Sequence, residues 1–195
     1  PQPAVKLEIL EMALRMMRKA GYEYIGMDHF AKASDALAVA KRKGTLHRNF
    51  QGYTTMPGAD LIGLGVSAIS QVGPSLLQNT RDLDEYMDAV RYKGTAIFRG
   101  HVSDRDDLIR YSVIMAMLCQ GELNWSDFLH THWVEFSDYF KDELKQLQEK
   151  QAEGLVELTD DSVRLTELGW YFARPIAMLF DKYSQRSAVK RSQVL

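Results

Sequence analysis

One cysteine, Cys119, stands in 195 residues. An intramolecular disulfide, a Cys-x-x-Cys pair and a cysteine-ligated iron–sulfur cluster inside this chain are therefore excluded, because each needs at least two thiols. Proline is scarce, at 5 residues, and no repeat or low-complexity tract interrupts the sequence. No apolar run approaches the ~20 residues that span a bilayer, and no basic-then-apolar stretch resembles a signal peptide, so a cytoplasmic location away from membranes is expected. Neither sign of charge dominates: 24 Lys and Arg face 26 Asp and Glu, for a formal net charge of -2. That balance gives nucleic acid and anionic membranes no electrostatic handle.

What is present is globular. Hydrophobic residues make up 46% of the chain and charged residues 26%, enough apolar surface to offset chain entropy. Pro1 to Ala4 reads as a linker, and its abrupt passage into a helix suggests a piece of something longer. Apolar residues at Ile9, Met12, Ala13, Met16, Met17 and Ala20 recur at helical spacing over Val5 to Ala20. Tyr22 to Met27 suits a strand ending at Asp28-His29. Ser34 is placed to cap a helix through Arg42, and Leu46 to Thr55 follows neither periodicity. Asp60 to Ser70, apolar on both parities, reads as a buried strand, with Thr80 capping a helix through Lys93 and a strand over Ala96 to Val102. Ser103 with Asp106 forms a capping-box-like start to a helix through Cys119.

The last third changes character. Phe136, Phe140, Leu144 and Leu147 mark one helix face, Leu155 to Thr159 and Val163 to Thr166 form a hairpin, and a final helix interrupted by Pro175 precedes a polar tail from Ser184. The expected class is α/β over residues 1–103, followed by a mainly helical, winged-helix-like domain with a β-hairpin over 104–195. A DNA-binding role is not supported by charge. The segment around Phe136 to Lys150 sets Asp138, Asp142, Glu143 and Glu149 against Lys141, Lys145 and Lys150.

Several constellations invite chemistry. Gly63-Leu-Gly65-Val-Ser-Ala68 fits the relaxed dinucleotide pattern, yet apolar residues continue to Ile69 where a helix should open, so close backbone contact is the better reading. Asp28-His29 sits at a strand end, a position that carries catalytic loops in barrel-like enzymes and also many hydrogen-bonded structural histidines. His130 and His132 lack a third ligand and read as surface or packing residues, so no metal site is expected in the chain.

Three long segments then align with one family. Gly21-Tyr-Glu-Tyr-Ile-Gly-Met-Asp-His-Phe-Ala31, Leu46-His-Arg-Asn-Phe-Gln-Gly-Tyr-Thr-Thr55 and Asp60-Leu-Ile-Gly-Leu-Gly-Val-Ser-Ala-Ile-Ser70 resemble successive motifs of oxygen-independent coproporphyrinogen III oxidases. Weaker similarity continues through Gln78-Asn79, Arg99-Gly100, Asp106-Asp107, Val113-Ile114, Glu153 to Val156 and Phe180-Asp181, so it covers nearly the whole chain. The resemblance implies a radical S-adenosylmethionine oxidoreductase of haem biosynthesis, with the last units of a partial (β/α) barrel followed by the helical domain. In that family a 4Fe–4S cluster on three cysteines and S-adenosylmethionine generate a radical, and two propionates of coproporphyrinogen III become vinyl groups of protoporphyrinogen IX.

By the same resemblance, Ile69 lines an S-adenosylmethionine site; Asp28, His29, Arg48 and Tyr53, which lie within the matching motifs, are candidates for the substrate pocket, with Arg48 able to pair with a propionate carboxylate. The family's three-cysteine motif has no counterpart here. The chain is thus expected to be the carboxy-terminal part of a monomeric enzyme, inactive alone, its partner being the amino-terminal half of the same protein. Departures occur at Ala31-Lys-Ala33, Arg110-Tyr111 and Arg174-Pro-Ile-Ala-Met178, where the family pattern has a proline, a second arginine and an Arg-Asn-Ile run. They leave open a tetrapyrrole-binding or haem-trafficking relative without oxidase activity.

Overall fold

The computed structural model describes residues 2–184, so the polar tail expected after Ser184 lies outside the described residues. Helix α1 (Pro3–Lys19) starts inside the segment expected as a linker, with a proline in its first turn, where a missing N–H costs nothing. Its expected apolar face is split. Leu14 is buried and Ala13 and Met17 half-buried, whereas Ile9, Met12 and Met16 are 48%, 47% and 62% exposed.

Strand β1 (Tyr22–Gly26) turns back through Met27, at φ 50, to pair antiparallel with β2 (His29–Lys32). Asp28 therefore sits in a hairpin turn, and His29 is the first residue of the returning strand. Helix α2 (Ala36–Arg42) is capped by Asp35, whose carboxylate accepts from the Leu37 N–H at 2.8 Å; Ser34 is one residue too early. The unassigned stretch after it is a second antiparallel hairpin, β3 (His47–Asn49) with β4 (Gly52–Thr54). Strands of three residues are too short for alternation to show.

Residues 60–68 do not form the expected buried strand. They make one bridge, Leu61 to Gln71, and leave Ile62, Leu64 and Val66 65%, 86% and 37% exposed. The backbone folds on itself instead, since a Cβ on Gly63 would lie 2.6 Å from the carbonyl oxygen of Ile69. The true strand is β5 (Ile69–Val72), which joins β6 (Ser75–Asn79) and, after helix α3 (Leu83–Lys93), β7 (Ile97–Val102) in the antiparallel order β5-β6-β7. Asp82 caps α3 by accepting from the Glu85 N–H at 2.9 Å, while the Thr80 hydroxyl, the expected cap, donates to the Glu85 carboxylate.

Helix α4 (Arg105–Cys119) opens on a reciprocal Asp104 and Asp107 capping box, one residue beyond the Ser103 and Asp106 expected, and Gly121 ends it at φ 71. Then come β8 (Glu122–Asn124), α5 (Trp125–His132), α6 (Phe136–Tyr139), α7 (Lys141–Ala152), β9 (Val156–Leu158) and β10 (Ser162–Leu165), the strands ordered β8-β10-β9. The helix face expected across 136–147 is two helices, broken at Phe140 (φ -114, ψ 39). The final helix is α8 (Ala173–Ala177), flanked by 3-10 turns at Gly169–Phe172 and Met178–Phe180; Pro175 falls in its first turn, where no helical donor is lost.

Every strand pairing among the described residues is antiparallel. The mixed α/β chain divides into two compact units, residues 2–55 with 112–184 and residues 56–111, the boundary falling within α4. The core of the first contains an aromatic cluster. Phe128, Phe136, Phe140 and Phe180 are each no more than 2% exposed, with Phe136 to Phe140 at 4.9 Å and Phe140 to Phe180 edge-on at 5.2 Å. Trp125 stacks on Phe136 at 4.1 Å. Such edge-to-face contacts add to the area term of burial.

Candidate functional site

The two hairpins of the first unit bring three of the four expected pocket residues together. Arg48 and Tyr53 are cross-strand partners in the β3–β4 register, and the guanidinium lies 5.1 Å from the Tyr53 ring centroid. His29, from the β1–β2 turn, meets the same ring edge-on at 5.2 Å. Tyr53 is fixed at its far end, where its hydroxyl donates to the Leu118 carbonyl at 2.9 Å.

Two glycines make this approach possible. A Cβ on Gly26 would stand 2.2 Å from the Tyr53 hydroxyl oxygen, and one on Gly52 would stand 3.1 Å from His29 Nε2, while Gly52 also holds φ 132. A side chain at either position would push the rings apart.

His29 Nδ1 and Arg48 Nη1 are buried and have no hydrogen-bond partner. Leaving a buried donor or acceptor unmatched costs roughly 1–3 kcal/mol, and more when it is charged. Atoms kept in that state mark a place for an oxygen supplied from elsewhere, from water or from a ligand.

The buried tyrosines and the thiol beside Arg48 keep their protons at pH 7. Burial, then the neighbouring Cys119, pushes Tyr53 up to about 12 against the opposing pull of Arg48. Burial likewise raises Tyr24, with Tyr53, Asp28 and Tyr171 adding to it. The Cys119 thiol, buried behind the hairpin, rises to about 11 by burial, again opposed by Arg48. Arg48 is thus a cation beside buried hydroxyl and thiol groups that carry no charge, an arrangement complementary to one carboxylate. Asp28 stays exposed at the turn.

A pH effect follows from Cys119. The unfolded thiol ionises near its ordinary 9.0 while the folded one keeps its proton to about 11, so the unfolded state sheds a proton first and stability falls as pH rises through that window. Urea midpoints measured from pH 8 to 11 are expected to drop more steeply for the wild type than for Cys119→Ala. Parallel slopes in the two proteins would rule out this thiol as the cause.

Cys119 does not fit a cluster ligand, which must be a thiolate and must have cysteine companions. Ile69 belongs to the other unit, half-buried at the start of β5 with Gln78 as its register partner. His130 is exposed, and His132 bonds Ser112 at 2.7 Å and packs on Phe128 at 4.8 Å.

Tyr24, Lys41 and Cys119 were not marked by sequence patterns. Cys119 reaches the hairpins through tertiary packing, which no local pattern shows. The Tyr22-x-Tyr24 alternation did place both rings on one face of β1, and that was the available signal.

Residues 103–172 match the HemN C-terminal domain. The oxygen-independent coproporphyrinogen III oxidase of Escherichia coli strain K12 is 42% identical over 188 residues, which are 96% of this chain and 41% of that protein. Its counterpart in Pseudomonas aeruginosa is 43% identical over 183 residues, covering 94% of this chain and 40% of that protein. The solved structure of the E. coli coproporphyrinogen III oxidase HemN, described as a radical SAM enzyme, superimposes with a TM-score of 0.89 at 43% identity, over 94% of this chain and 42% of that one. The chain thus spans about two-fifths of the length of these relatives.

Proposed function

Since the chain belongs to the oxygen-independent coproporphyrinogen III oxidase family, we propose that it is the carboxy-terminal part of such an enzyme and supplies one wall of the porphyrinogen pocket. The observation that carries this reading is the buried, unpartnered Arg48 Nη1 beside Tyr53 and His29. A propionate carboxylate matches the missing acceptor in charge and in hydrogen-bonding capacity. Arg48 would hold that carboxylate, Tyr53 would fix the guanidinium by its ring, and His29 would offer its second nitrogen to the same group or to a water beside it. Asp28, at the exposed turn, would face the entrance.

Oxidative decarboxylation also needs chemistry that these residues lack. S-adenosylmethionine and a 4Fe–4S cluster would supply a hydrogen-abstracting radical when bound in the complete protein. Ile69, half-buried at the start of β5, would contribute an apolar wall to the cofactor site of the complete protein. The cluster ligands and most contacts to the cofactor would come from the remaining length represented in the relatives. Exposed apolar residues support an extended covering partner of that kind: Met12 and Met16 on α1, Leu83 and Met87 on α3, Ile97 and Phe98 on β7. Residues 104–195 would then form the helical domain, a division supported by the family match beginning at 103 and by the β8-β10-β9 sheet beside α7. A cytoplasmic, monomeric enzyme that uses neither nucleic acid nor membrane completes the reading; among the described residues no helix is long and apolar enough to cross a membrane.

The test is anaerobic turnover by the complete protein with coproporphyrinogen III, S-adenosylmethionine and a reductant. Protoporphyrinogen and released carbon dioxide are expected. Tetrapyrrole binding without decarboxylation would transfer the chain to the binding-relative reading.

A further inference from the structure

The ammonium group of Lys41, on α2, is held from three directions. It donates to the carbonyl oxygens of Tyr24 at 2.9 Å and Ile25 at 2.8 Å, and it sits 4.0 Å from the centroid of the Trp170 ring and 5.6 Å from that of Tyr24. Trp170 is itself seated in a notch, because a Cβ on Gly121 would lie 2.3 Å from its Cζ2. The indole cannot move toward α4, so the cation facing it has a fixed platform.

Two distant segments meet at this one charge, and a third backs the indole. Trp170 belongs to the 3-10 turn that leads into α8, Gly121 follows α4, and Tyr24 and Ile25 are the strand residues just before the turn that delivers His29. Without Lys41 those two carbonyls lose their charge-assisted donor beside the bulge between Tyr24 and Gly26. The bulge is where a hairpin has freedom to re-aim its turn.

We propose that Lys41 is a positioning residue for His29, its ammonium locking the end of β1 onto the Trp170 platform and thereby fixing the turn from which His29 reaches Tyr53. The functional meaning rests on the reading of His29, Arg48 and Tyr53 as a pocket wall; the mechanical link does not.

The link is expected to be pH-sensitive. Burial lowers Lys41 to about 8, with Glu23 on β1 opposing. The other charged and titratable groups around the cleft are Arg18 of α1, Tyr22 and Tyr24 of β1, and Glu167 and Tyr171 of the C-terminal segment, with Glu23 paired to Arg42 and Glu167 to Arg18. Loss of the proton leaves two N–H donors but removes the charge that strengthens both carbonyl bonds and the attraction to the indole.

The experiment is a proton NMR titration of the full 195-residue chain from pH 6.5 to 9.5, following the Trp170 indole N–H and the carbon-bound imidazole protons of His29. Wild type is expected to show one inflection near pH 8 at Trp170 and a matching inflection at His29. Lys41→Arg, which keeps its charge throughout, is expected to lose both inflections and hold His29 in its low-pH position. Lys41→Met is expected to lose both and show His29 shifted at every pH; should it not fold, the arginine variant decides alone. An inflection at Trp170 without one at His29, none at either, or inflections that persist in Lys41→Arg would overturn the proposal. No turnover is measured, so failure of the oxidase assay leaves this result standing, and failure here leaves the oxidase reading standing.

Discussion

Phe140→Ala is expected to destabilise the chain by about 3–5 kcal/mol, the usual cost of removing a fully buried phenylalanine. Phe140 is 0% exposed and touches Phe128, Phe136, Tyr139 and Phe180, rings that come from α5, α6 and the segment after α8. Its backbone is also the break between α6 and α7, so the cavity would open where two helices change direction and neither can shift inward without moving the other. Phe50, at the tip of the β3–β4 hairpin and 52% exposed, provides the control. Its replacement by alanine is expected to change stability by no more than roughly 0.5 kcal/mol. Urea unfolding of both variants checks the contrast, and equal midpoints would mean that the aromatic cluster is not the keystone of this unit.

Arg48→Leu is expected to lower kcat/KM of the complete enzyme by roughly 30-fold to several thousandfold, corresponding to about 2–5 kcal/mol for truncating one member of a buried charge pair. Arg48 is a cation beside the protonated Tyr53 and Cys119, and its Nη1 has no hydrogen-bond partner. Arg48→Lys is expected to recover only part of the loss, because an ammonium lacks the planar fork that engages a carboxylate with two parallel bonds. Most of the change is expected in KM if the carboxylate is held equally in the ground and transition states. Melting curves of the variants separate this from unfolding, since the cross-strand stacking on Tyr53 is lost in the leucine variant and kept in part by lysine. An unchanged kcat/KM with an intact fold would remove Arg48 from the pocket.

The same residues show how far the sequence could be read. Helices α1 and α4, strand β7 and the β9–β10 hairpin were legible, each lying within a few residues of where the sequence places it. Caps were misplaced by one or two residues at α2, α3 and α4, because Ser34, Thr80 and Ser103 offer the same oxygen as the aspartates that follow, and only backbone geometry chooses between them. The error at 60–68 was of another kind. An apolar run on both parities signals burial only where something covers it, and here the glycines fold the backbone back on Ile69 while the side chains remain open.

The site was legible in part, and through the family motifs. His29, Arg48 and Tyr53 were candidates within the segments that match the family motifs, and the fold gathers them on two hairpins for which local patterning gave no pairing. Their supporting groups were invisible. Leu118 and Cys119 approach from the end of α4, and Lys41 with Trp170 comes from opposite ends of the chain; contacts of that sequence separation leave no periodic trace.

The central claim is that this chain shapes a porphyrinogen pocket and leaves the radical-generating cluster to another part of the protein. Iron–sulfur reconstitution of the isolated chain under anaerobic conditions, followed by iron analysis and assay with coproporphyrinogen III and S-adenosylmethionine, tests it most directly. The expected result is no bound cluster and no carbon dioxide, with both present when the complete protein is treated identically. A stoichiometric 4Fe–4S cluster and decarboxylation by the 195 residues alone would contradict it.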